Sequence, residues 1–282
     1  MSTFRAALVQ MTSSRSVADN VATLDRLVRA AAAGGATYVQ TPETTGIMDE
    51  DPQRLFETLT DEAGDAVLAH GRRLARELGI HLHIGSLAIK VGDGTKAANR
   101  AFVIAPSGEI AARYDKIHLF DVQLADGQVY RESARYVAGA EAVTVDLPFA
   151  RFGLAICYDL RFPHLFRTLA KEGGAEVLTV PAAFTKPTGE AHWHTLLRAR
   201  AIETGCWVLA AAQAGLHENG RETYGHSVVI DPWGRVVAEA GIEPGVIFAD
   251  VDTAEVAAVR GRVPSLVHDR PFELRAAGRV AP

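Results

Sequence analysis

The stretch RFGLAICYDLRFPHLF, residues 151–166, holds the residue best suited to nucleophilic chemistry. An apolar strand ends at Cys157, and Pro163 favours a helix soon afterwards. A sulfur near a helix N-terminus would feel a partial positive charge that favours the thiolate. The backbone N–H of Tyr158 would point into the same space and could stabilise an oxyanion. Because buried thiols are common in protein cores, a packing role is an equal alternative for Cys157.

Glu43 and Lys116 are the two other residues whose positions suggest chemistry. Glu43 follows Pro42 just past the end of the apolar strand in YVQTPETTG, at the same kind of strand edge as Cys157. Lys116 lies in RYDKIHLFD, which has no clean helical or strand period. A single glutamate or lysine is usually a solvated surface group. The combination of an acid, an amine and a thiol is what points to catalysis.

Other catalytic arrangements fit the sequence less well. Among the ten histidines, His81 and His83 alternate along a strand, whereas His192 and His194 lie two apart on a helix and cannot share a face. Neither H-E-x-x-H nor paired C-x-x-C occurs, so no metal site is expected. The segment GHSVV at 225–229 lacks the second glycine of a serine hydrolase motif.

Composition narrows the possible partners and the compartment. The net charge of -5 over 282 residues, with acidic and basic groups interspersed, disfavours nucleic-acid binding. The two cysteines lie in apolar runs, which argues for a reducing compartment and against a disulfide framework. No apolar run reaches the roughly 18 to 20 residues of a membrane span, and the N-terminus lacks the pattern of a secretory signal. The sequence therefore predicts a cytoplasmic protein.

The elements that must position the candidate residues alternate between strands and helices. Apolar residues recur at helical spacing over residues 17–31, between two strands, and again over residues 67–78 before the strand HLHIGSLAI. The turn formers in KVGDGTKA predict a hairpin with NRAFVIAP. Strands outnumber helices, so we expect mixed sheets with helices outside them. One domain over residues 1–282, with a C-terminal tail from about residue 262, is the simplest organisation.

The segment AHWHTLLRARAIE predicts a helix with one apolar face. Trp193, Leu196, Leu197 and Ala201 share that face at helical spacing. We expect this stripe to pack in the core. Strand candidates follow at CWVLAAAQA, YGHSVVIDP, GRVVAEA and GVIFADVD.

Three motifs, TPETTG, RYDKIHLFD and GLAICYDLRFP, together resemble the nitrilase, or carbon-nitrogen hydrolase, superfamily. The resemblance extends from the first strand almost to the end of the chain and assigns the family's Glu-Lys-Cys triad to Glu43, Lys116 and Cys157. The second glutamate of the family corresponds to Glu132 in YRESARYVAG. The resemblance implies a four-layer α-β-β-α sandwich of two mixed sheets, paired through outer helices into a homodimer or assembled into a higher homo-oligomer.

Within the superfamily, the segments CYDLRFP, FTKPTGEAHWHTLLRARAIETGCWVLAAAQAG and YGHSVVIDPWG resemble the branch of deaminated-glutathione amidases, which includes the nitrilase half of nitrilase–Fhit fusions. The implied activity is cofactor-free hydrolysis of a small acidic carboxamide to an acid and ammonia. One alternative is an omega-amidase acting on α-ketoglutaramate, and another is a hydrolase of nitriles or N-carbamoyl amino acids. A non-catalytic binding protein with the same fold is the alternative from another class.

The resemblance and the chemistry of amide hydrolysis suggest a role for each residue. We expect Glu43 to move protons, Cys157 to attack the carbonyl carbon and form a thioester, and Lys116 with the Tyr158 N–H to stabilise the oxyanion. Glu132 would position Lys116 or the substrate amide.

Two further residues of the cysteine motif are candidates for substrate binding. Arg161 has the fork geometry to hold a substrate carboxylate, and a structural ion pair is the alternative. Asp159 would cap the helix that follows, and it is also included as a substrate-binding candidate.

Overall fold

The structure is a computed structural model that describes residues 3–123, 127 and 129–276. Three parts of the sequence-based expectations therefore fall partly outside the described residues: the start of the first strand, the loop at 121–135 and the last six residues of the expected tail, 277–282. None of the described helices combines the length and the apolar composition that crossing a bilayer requires.

Helices and strands alternate along the described chain. The α-helices are α1 Val17–Ala33, α2 Pro52–Thr58, α3 Ala66–Leu78, α4 Pro163–Lys171, α5 Lys186–Thr204 and α6 Ala254–Arg262. The strands of the first half are β1 Thr3–Gln10, β2 Tyr38–Gln40, β3 His81–Val91, β4 Lys96–Ile104, β5 Ile110–Asp115, β6 Asp121–Gln123, β7 Val129–Arg131 and β8 Tyr136–Val137. Those of the second half are β9 Thr144–Leu147, β10 Ala150–Leu154, β11 Val177–Thr179, β12 Trp207–Ala210, β13 Ala214–Leu216, β14 Glu222–Tyr224, β15 Val228–Ile230, β16 Val236–Glu239 and β17 Gly245–Asp252.

Both large sheets mix parallel and antiparallel pairs, as predicted. The first has the order β17-β1-β2-β3-β4-β5, with β8 beside β4, and its β1, β2 and β3 are parallel. The second has the order β16-β15-β12-β11-β10-β9, and its β10, β11 and β12 are parallel. Helices α1 and α3 lie in the connections between the parallel strands of the first sheet, and α4 and α5 lie in those of the second.

Successive side chains along a strand point to opposite faces of its sheet, so each sheet packs against the other sheet on one face and against helices on the other face. In β1, Phe4, Ala6 and Leu8 join the core that the two sheets share, whereas Ala7 and Val9 pack with α1 and α3. Because both faces of this strand are buried, its residues 6–9 form an unbroken apolar run.

The second sheet divides its side chains between its two faces in the same way. In β10, the Phe152 ring lies 4.8 Å from that of Tyr38 in the first sheet, while Gly153 faces Leu169 of α4. Helix α5 packs on β12 and β15. The predicted four-layer α-β-β-α sandwich is therefore confirmed.

Helix α5 buries the predicted apolar stripe. Trp193, Leu197 and Ala201 are fully buried in the core around the second sheet, and Leu196 packs against it at partial exposure. The helix begins at Lys186, five residues before the segment predicted from its apolar spacing, because Pro187 is tolerated in the first helical turn.

The strand before Cys157 ends earlier than predicted. Strand β10 stops at Leu154, and Cys157 opens a 3-10 turn, Cys157–Arg161, before α4. The N–H groups of Ala155 and Cys157 still donate to Thr179 O and Pro181 O beside β11, so the extended path continues to the cysteine without two-sided pairing.

The elements that sequence patterns did not predict are short or exposed. They include α2, the two small hairpins β6-β7 and β13-β14, and the edge strand β9. Strands of two to four residues are too short for a period-two pattern to stand out. After α6, the described residues 263–276 form no helix or strand, and Phe272 and Leu274 there are 92% and 95% exposed.

Gly85 in β3 permits a close approach between the two halves of the molecule. A Cβ atom at this position would lie 2.1 Å from Thr41 O and 2.5 Å from Pro181 Cβ. Thr41 precedes the loop that carries Glu43, and Pro181 O accepts the Cys157 N–H. No side chain fits there, so Gly85 is needed to bring these two loops together.

Candidate active site

One cleft collects all of the sequence-predicted site residues except Asp159. It is lined by Glu43, Lys116, Glu132, Cys157, Tyr158 and Arg161, among others. Glu43 follows β2, Lys116 follows β5 directly and Cys157 follows β10. Strand β2 belongs to the parallel part of the first sheet and β10 to that of the second. The two strands thus contribute their carboxyl ends to the cleft, one from each sheet.

Lys116 is a buried cation held between two carboxylates. Its Nζ lies 3.0 Å from Glu43 Oε1 and 2.8 Å from Glu132 Oε2. The Lys116 and Glu43 side chains are 2% and 6% exposed. A charge this deep needs close partners, because desolvation of an unpaired ammonium costs several kcal/mol.

Asn99 joins the same network, and the sequence analysis did not identify it. Its Nδ2 donates to Glu43 Oε1 at 2.9 Å and to Glu132 Oε1 at 3.0 Å, so it links the two carboxylates. Its Oδ1 is buried and has no hydrogen-bond partner among the described residues. The available sequence signal is an asparagine inside the strand KAANRAFVI, whose other residues apart from Lys96 and Arg100 are apolar.

The second oxygen and the backbone of Glu43 are also held. Glu43 Oε2 accepts the Ala183 N–H at 2.9 Å. Gln213 Nε2 donates to Glu43 O at 2.9 Å, and Gln213 Oε1 accepts the Ser13 N–H. The next residue, Thr44, has a φ of 54°, which is uncommon for a residue other than glycine. Contacts from distant segments therefore fix the glutamate in a constrained loop.

Cys157 also occupies an uncommon backbone conformation. Its φ is 48°, and its N–H donates to Pro181 O at 2.9 Å. The thiol and the Glu43 carboxylate lie close enough to shift each other's pKa. Within the described chain, the Tyr158 N–H donates to no backbone carbonyl, which is consistent with a free oxyanion donor. Strained backbone of this kind is concentrated at functional sites.

Cys157 is a neutral thiol at rest, which differs from the expectation of a stabilised thiolate. Burial raises the pKa of Cys157 well above its ordinary value, and the negative charge of Glu43 raises it further. Lys116 acts in the opposite direction without reversing the shift. The turn that begins at Cys157 has only five residues, so its dipole does not outweigh these effects.

The two groups beside the thiol, Glu43 and Lys116, are both charged at rest. Burial raises the pKa of Glu43, but the Lys116 charge and hydrogen bonds from Cys157 and Lys116 outweigh burial, so the pKa is lowered. Burial lowers the pKa of Lys116, but Glu132 and Glu43 together raise it well above its ordinary value. The resting centre is therefore a carboxylate, an ammonium and a thiol.

Asp159 is not placed to bind substrate, contrary to its inclusion among the candidates. Its side chain is fully buried away from the cleft and accepts hydrogen bonds from Tyr114 Oη at 2.7 Å and from the Ile156 N–H at 2.9 Å. Both His118 N and His118 Nδ1 also lie within hydrogen-bond distance of it. It braces the start of the cysteine turn by accepting the Ile156 N–H, and it does not cap α4, whose N-cap residue is Phe162 and which has no side-chain cap hydrogen bond.

Arg161 lies on the cleft wall and forms no ion pair within the part of the chain that the structure describes. Its nitrogens lie 3.3 Å and 3.4 Å from His192 Nδ1. Its guanidinium carbon lies 5.8 Å from the Tyr158 ring centre and 5.6 Å from that of Phe184. The structural ion pair that was the alternative for Arg161 is not observed there.

Arg221 is a further cation of the cleft, and sequence reasoning missed it. Its Nη2 donates to Ala183 O, and its Nη1 lies 3.7 Å from Glu50 Oε1. Its Nε is buried without a hydrogen-bond partner among the described residues. No local pattern marks it, since Arg221 lies in a polar turn, HENGRET, between β13 and β14.

Comparison with known proteins places this geometry in a family context. Residues 5–261 match the family described as carbon-nitrogen hydrolase. A protein of Synechocystis named deaminated glutathione amidase is 41% identical over 272 residues, which cover 95% of this chain and 98% of that protein. The deaminated glutathione amidase of Homo sapiens is 40% identical over 269 residues, which cover 94% of this chain and 82% of that protein.

A solved structure extends the similarity to three dimensions. The crystal structure of the C. elegans NitFhit protein aligns with a TM-score of 0.89 at 37% identity and covers 95% of this chain. This chain spans 65% of that fusion protein.

The raised pKa of Cys157 leads to a prediction about thiol reactivity. Replacing Glu43 with glutamine removes a negative charge that raises this pKa, so the pKa should fall and the thiolate fraction at neutral pH should rise. The thiolate fraction at neutral pH should rise about tenfold for each unit of pKa lost. Alkylation by iodoacetamide, followed across pH by mass spectrometry, should accelerate by about threefold per unit, because a thiolate of lower pKa is a weaker nucleophile.

The controls separate this effect from general loosening of the protein. Glu50→Gln changes an acidic residue on the cleft lining that does not contact the thiol, so the alkylation profile should stay unchanged. Cys157→Ser should abolish labelling, because Cys206 is fully buried. An unchanged or higher alkylation midpoint in Glu43→Gln would contradict the electrostatic coupling.

Proposed function

The chain belongs to the carbon-nitrogen hydrolase family, and we propose that it is a thiol amidase acting on a small acidic amide, with deaminated glutathione as the favoured substrate. The observation that carries the proposal is the buried contact of Glu43 with both Lys116 and Cys157 at the base of the cleft. Relatives named deaminated glutathione amidase, at 41% and 40% identity, support the substrate class.

In the first half of the proposed reaction, Cys157 becomes acylated. Since the resting thiol is neutral and Glu43 is ionised, Glu43 takes the thiol proton as sulfur attacks the carbonyl carbon. The Lys116 ammonium and the Tyr158 N–H stabilise the oxyanion. Glu43 then donates the proton to the departing nitrogen, the C–N bond breaks and a thioester remains.

In the second half, water replaces the amine. Glu43, again a carboxylate, takes a proton from the water that attacks the thioester carbon. The tetrahedral intermediate collapses, the C–S bond breaks, and the proton returns to sulfur. Glu132 and Asn99 act as positioning residues, because they hold Lys116 and Glu43 without a place in the proton path. The proposed cycle uses no cofactor or metal.

The charges on the cleft wall match a substrate with carboxylates. Deaminated glutathione carries two carboxylates, and Arg161 and Arg221 both line the cleft. Arginine can hold a carboxylate through two parallel hydrogen bonds. Deaminated glutathione has no primary carboxamide, so the group released is the amine of a peptide fragment. The release of ammonia expected from the sequence applies instead to substrates such as α-ketoglutaramate, which carries a primary amide.

The domain organisation and the location are also part of the proposal. We propose a single catalytic domain over residues 1–282, with a tail after α6, in a cytoplasmic protein. The reducing cytoplasm suits a reaction that requires a free Cys157, and both cysteines are free in the structure.

The function is tested by assaying products across a substrate panel. With deaminated glutathione, α-ketoglutaramate, simple nitriles and N-carbamoyl amino acids, we expect the highest kcat/KM for deaminated glutathione, measured as acid release. Cys157→Ala should lower kcat by roughly a thousandfold or more, because the nucleophile is lost.

Cys206→Ala is the matched control, since this second cysteine is buried outside the cleft, and it should keep its activity. Turnover by folded Cys157→Ala would exclude the cysteine as nucleophile. Carbon dioxide release would mark an N-carbamoyl hydrolase instead.

Arg161→Lys tests how the carboxylate is recognised. Lysine keeps the charge but loses the planar fork, so kcat/KM for acidic amides should fall roughly tenfold, while that for a neutral amide stays the same. Arg198→Lys is the control, because Arg198 bonds to Gly234 O outside the cleft. An unchanged ratio of acidic to neutral amide turnover would exclude Arg161 from carboxylate binding.

We also propose that the chain pairs through the outer face of α5. Ile202 on this helix is 54% exposed and Trp233 is 51% exposed. The neighbouring Gly234 comes so close that its Cβ would lie 2.5 Å from Ile202 Cγ1, so these side chains share one surface. Light scattering at micromolar concentration should give a dimer mass, and Ile202→Asp should shift it to the monomer. A monomer for the unmodified chain would exclude this pairing.

A further inference from the structure

A cluster of two histidines and a glutamate lies outside the cleft. His194 Nε2 is 2.9 Å from Glu239 Oε1, and His226 Nδ1 is 2.8 Å from the same oxygen. The donor atoms of all three lie within 4.8 Å of one another. None of these residues lines the catalytic cleft. The cluster therefore needs an explanation that the proposed amidase reaction does not supply.

We propose that His194, His226 and Glu239 form a binding site for a first-row transition metal ion, with Zn²⁺ as the best match. Two imidazole nitrogens and one carboxylate oxygen are a ligand set that zinc uses, at about 2.0–2.2 Å from each donor. Donors around a tetrahedral ion stand roughly 3.3 Å apart, so the observed separations of 2.8 Å and 2.9 Å need to widen by only a few tenths of an ångström.

The three ligands come from separate elements that meet at the edge of the second sheet. His194 lies in the middle of α5, His226 lies between β14 and β15, and Glu239 ends β16. The pairing of Val228 with Glu239 in the register of β15 and β16 brings Glu239 beside the segment that carries His226. Because a helix, a strand end and the short segment that leads into β15 set the donor positions, the site is pre-organised.

The backbone at His226 is held in an uncommon conformation. Its φ is 54°, its N–H donates to Gly241 O at 3.0 Å, and its carbonyl accepts the Trp193 indole N–H at 2.8 Å. The Tyr224 ring stacks on the His226 ring at 4.3 Å between centres. These contacts aim the imidazole at Glu239 and leave it little freedom to turn away.

Partial exposure allows an ion to enter and to keep a water ligand. The side chains of His194, His226 and Glu239 are 31%, 25% and 34% exposed. A neutral imidazole needs only to move its proton to the opposite ring nitrogen to present a lone pair at the donor atom. Three protein ligands leave a fourth tetrahedral position open to water.

The bound ion would connect α5 to the outer strand of the second sheet. Helix α5 follows Thr185 on the cleft wall, and its first turns include Thr188, which also lines the cleft. An ion that binds only the folded protein raises its apparent stability by mass action. We therefore expect Zn²⁺ to act as a clamp that raises the Tm, without a part in the chemistry at Cys157.

The test must keep the catalytic thiol from binding the ion. All measurements use the full chain with Cys157→Ser, after treatment with a chelator. Titration calorimetry with ZnCl₂ should show one ion per chain, and a saturating concentration should raise the Tm. Glu239→Gln and His194→Gln, each in that background, should weaken Zn²⁺ binding roughly 10- to 100-fold or more and remove the Tm increase.

His192→Gln is the matched control, because His192 is an exposed histidine two residues from His194 on the same helix. It should bind Zn²⁺ as the background protein does. Substitution of Co²⁺ should give a visible spectrum of a nitrogen and oxygen site, without a thiolate charge-transfer band.

Two results would overturn the site: no Zn²⁺ binding by the Cys157→Ser chain, or equal affinities for Glu239→Gln, His194→Gln and the control. Far-UV circular dichroism and the metal-free Tm verify that each variant is folded. The Zn²⁺ measurements do not depend on catalysis, because the Cys157→Ser background lacks the nucleophile. A negative Zn²⁺ result therefore does not contradict the amidase proposal, and a negative amidase result does not contradict the Zn²⁺ site.

Discussion

The cleft depends on one requirement, which is to keep the Lys116 ammonium inside the protein. An unpaired ammonium at this depth would cost several kcal/mol of desolvation, so its partners must come as close as hydrogen bonding allows. Glu43 and Glu132 meet this requirement from two separate segments, and Asn99 bridges them. The ion pairs therefore do more than satisfy a charge. They fix the relative positions of the loop after β2, the strand β4 and the turn at Glu132, and these positions define the base of the cleft.

The close packing of the two sheets brings Glu43 and Cys157 together. Glu43 follows a strand of the first sheet and Cys157 follows a strand of the second, so the acid and the thiol can touch only if the loops beyond those strands are nearly in contact. The absent side chain at Gly85 provides this space, and Ala183 N and Gln213 anchor the glutamate from the second half of the chain. The positive φ values at Thr44 and Cys157 are the local strain that this convergence imposes on both loops.

Charge is distributed unevenly between the base and the walls of the cleft. Two carboxylates and one ammonium leave a net negative charge at its base, and the sulfur beside them is a neutral thiol. Arg161 and Arg221 place positive charge on the walls. In the proposed reaction, this distribution repels a substrate carboxylate from Glu43 and attracts it to the arginines, so an acidic amide enters with its acyl carbon toward the sulfur. The same neutral thiol explains why the chemistry needs a base at all.

The sequence alone determined the fold class, the helices α1 and α3, the buried stripe of α5 and the identities of Glu43, Lys116 and Cys157 as candidates, because hydrophobic periods and ordered motifs are local properties of the chain. It did not reveal Asn99, Arg221 or the interior role of Asp159, and it suggested a thiolate where burial produces a thiol. Nothing in the sequence indicated that His194 has partners, whereas folding brings His226 and Glu239 close to it. Only the tertiary structure decided these points, since each depends on which distant segments the order of strands places side by side, and on how much water the packing excludes.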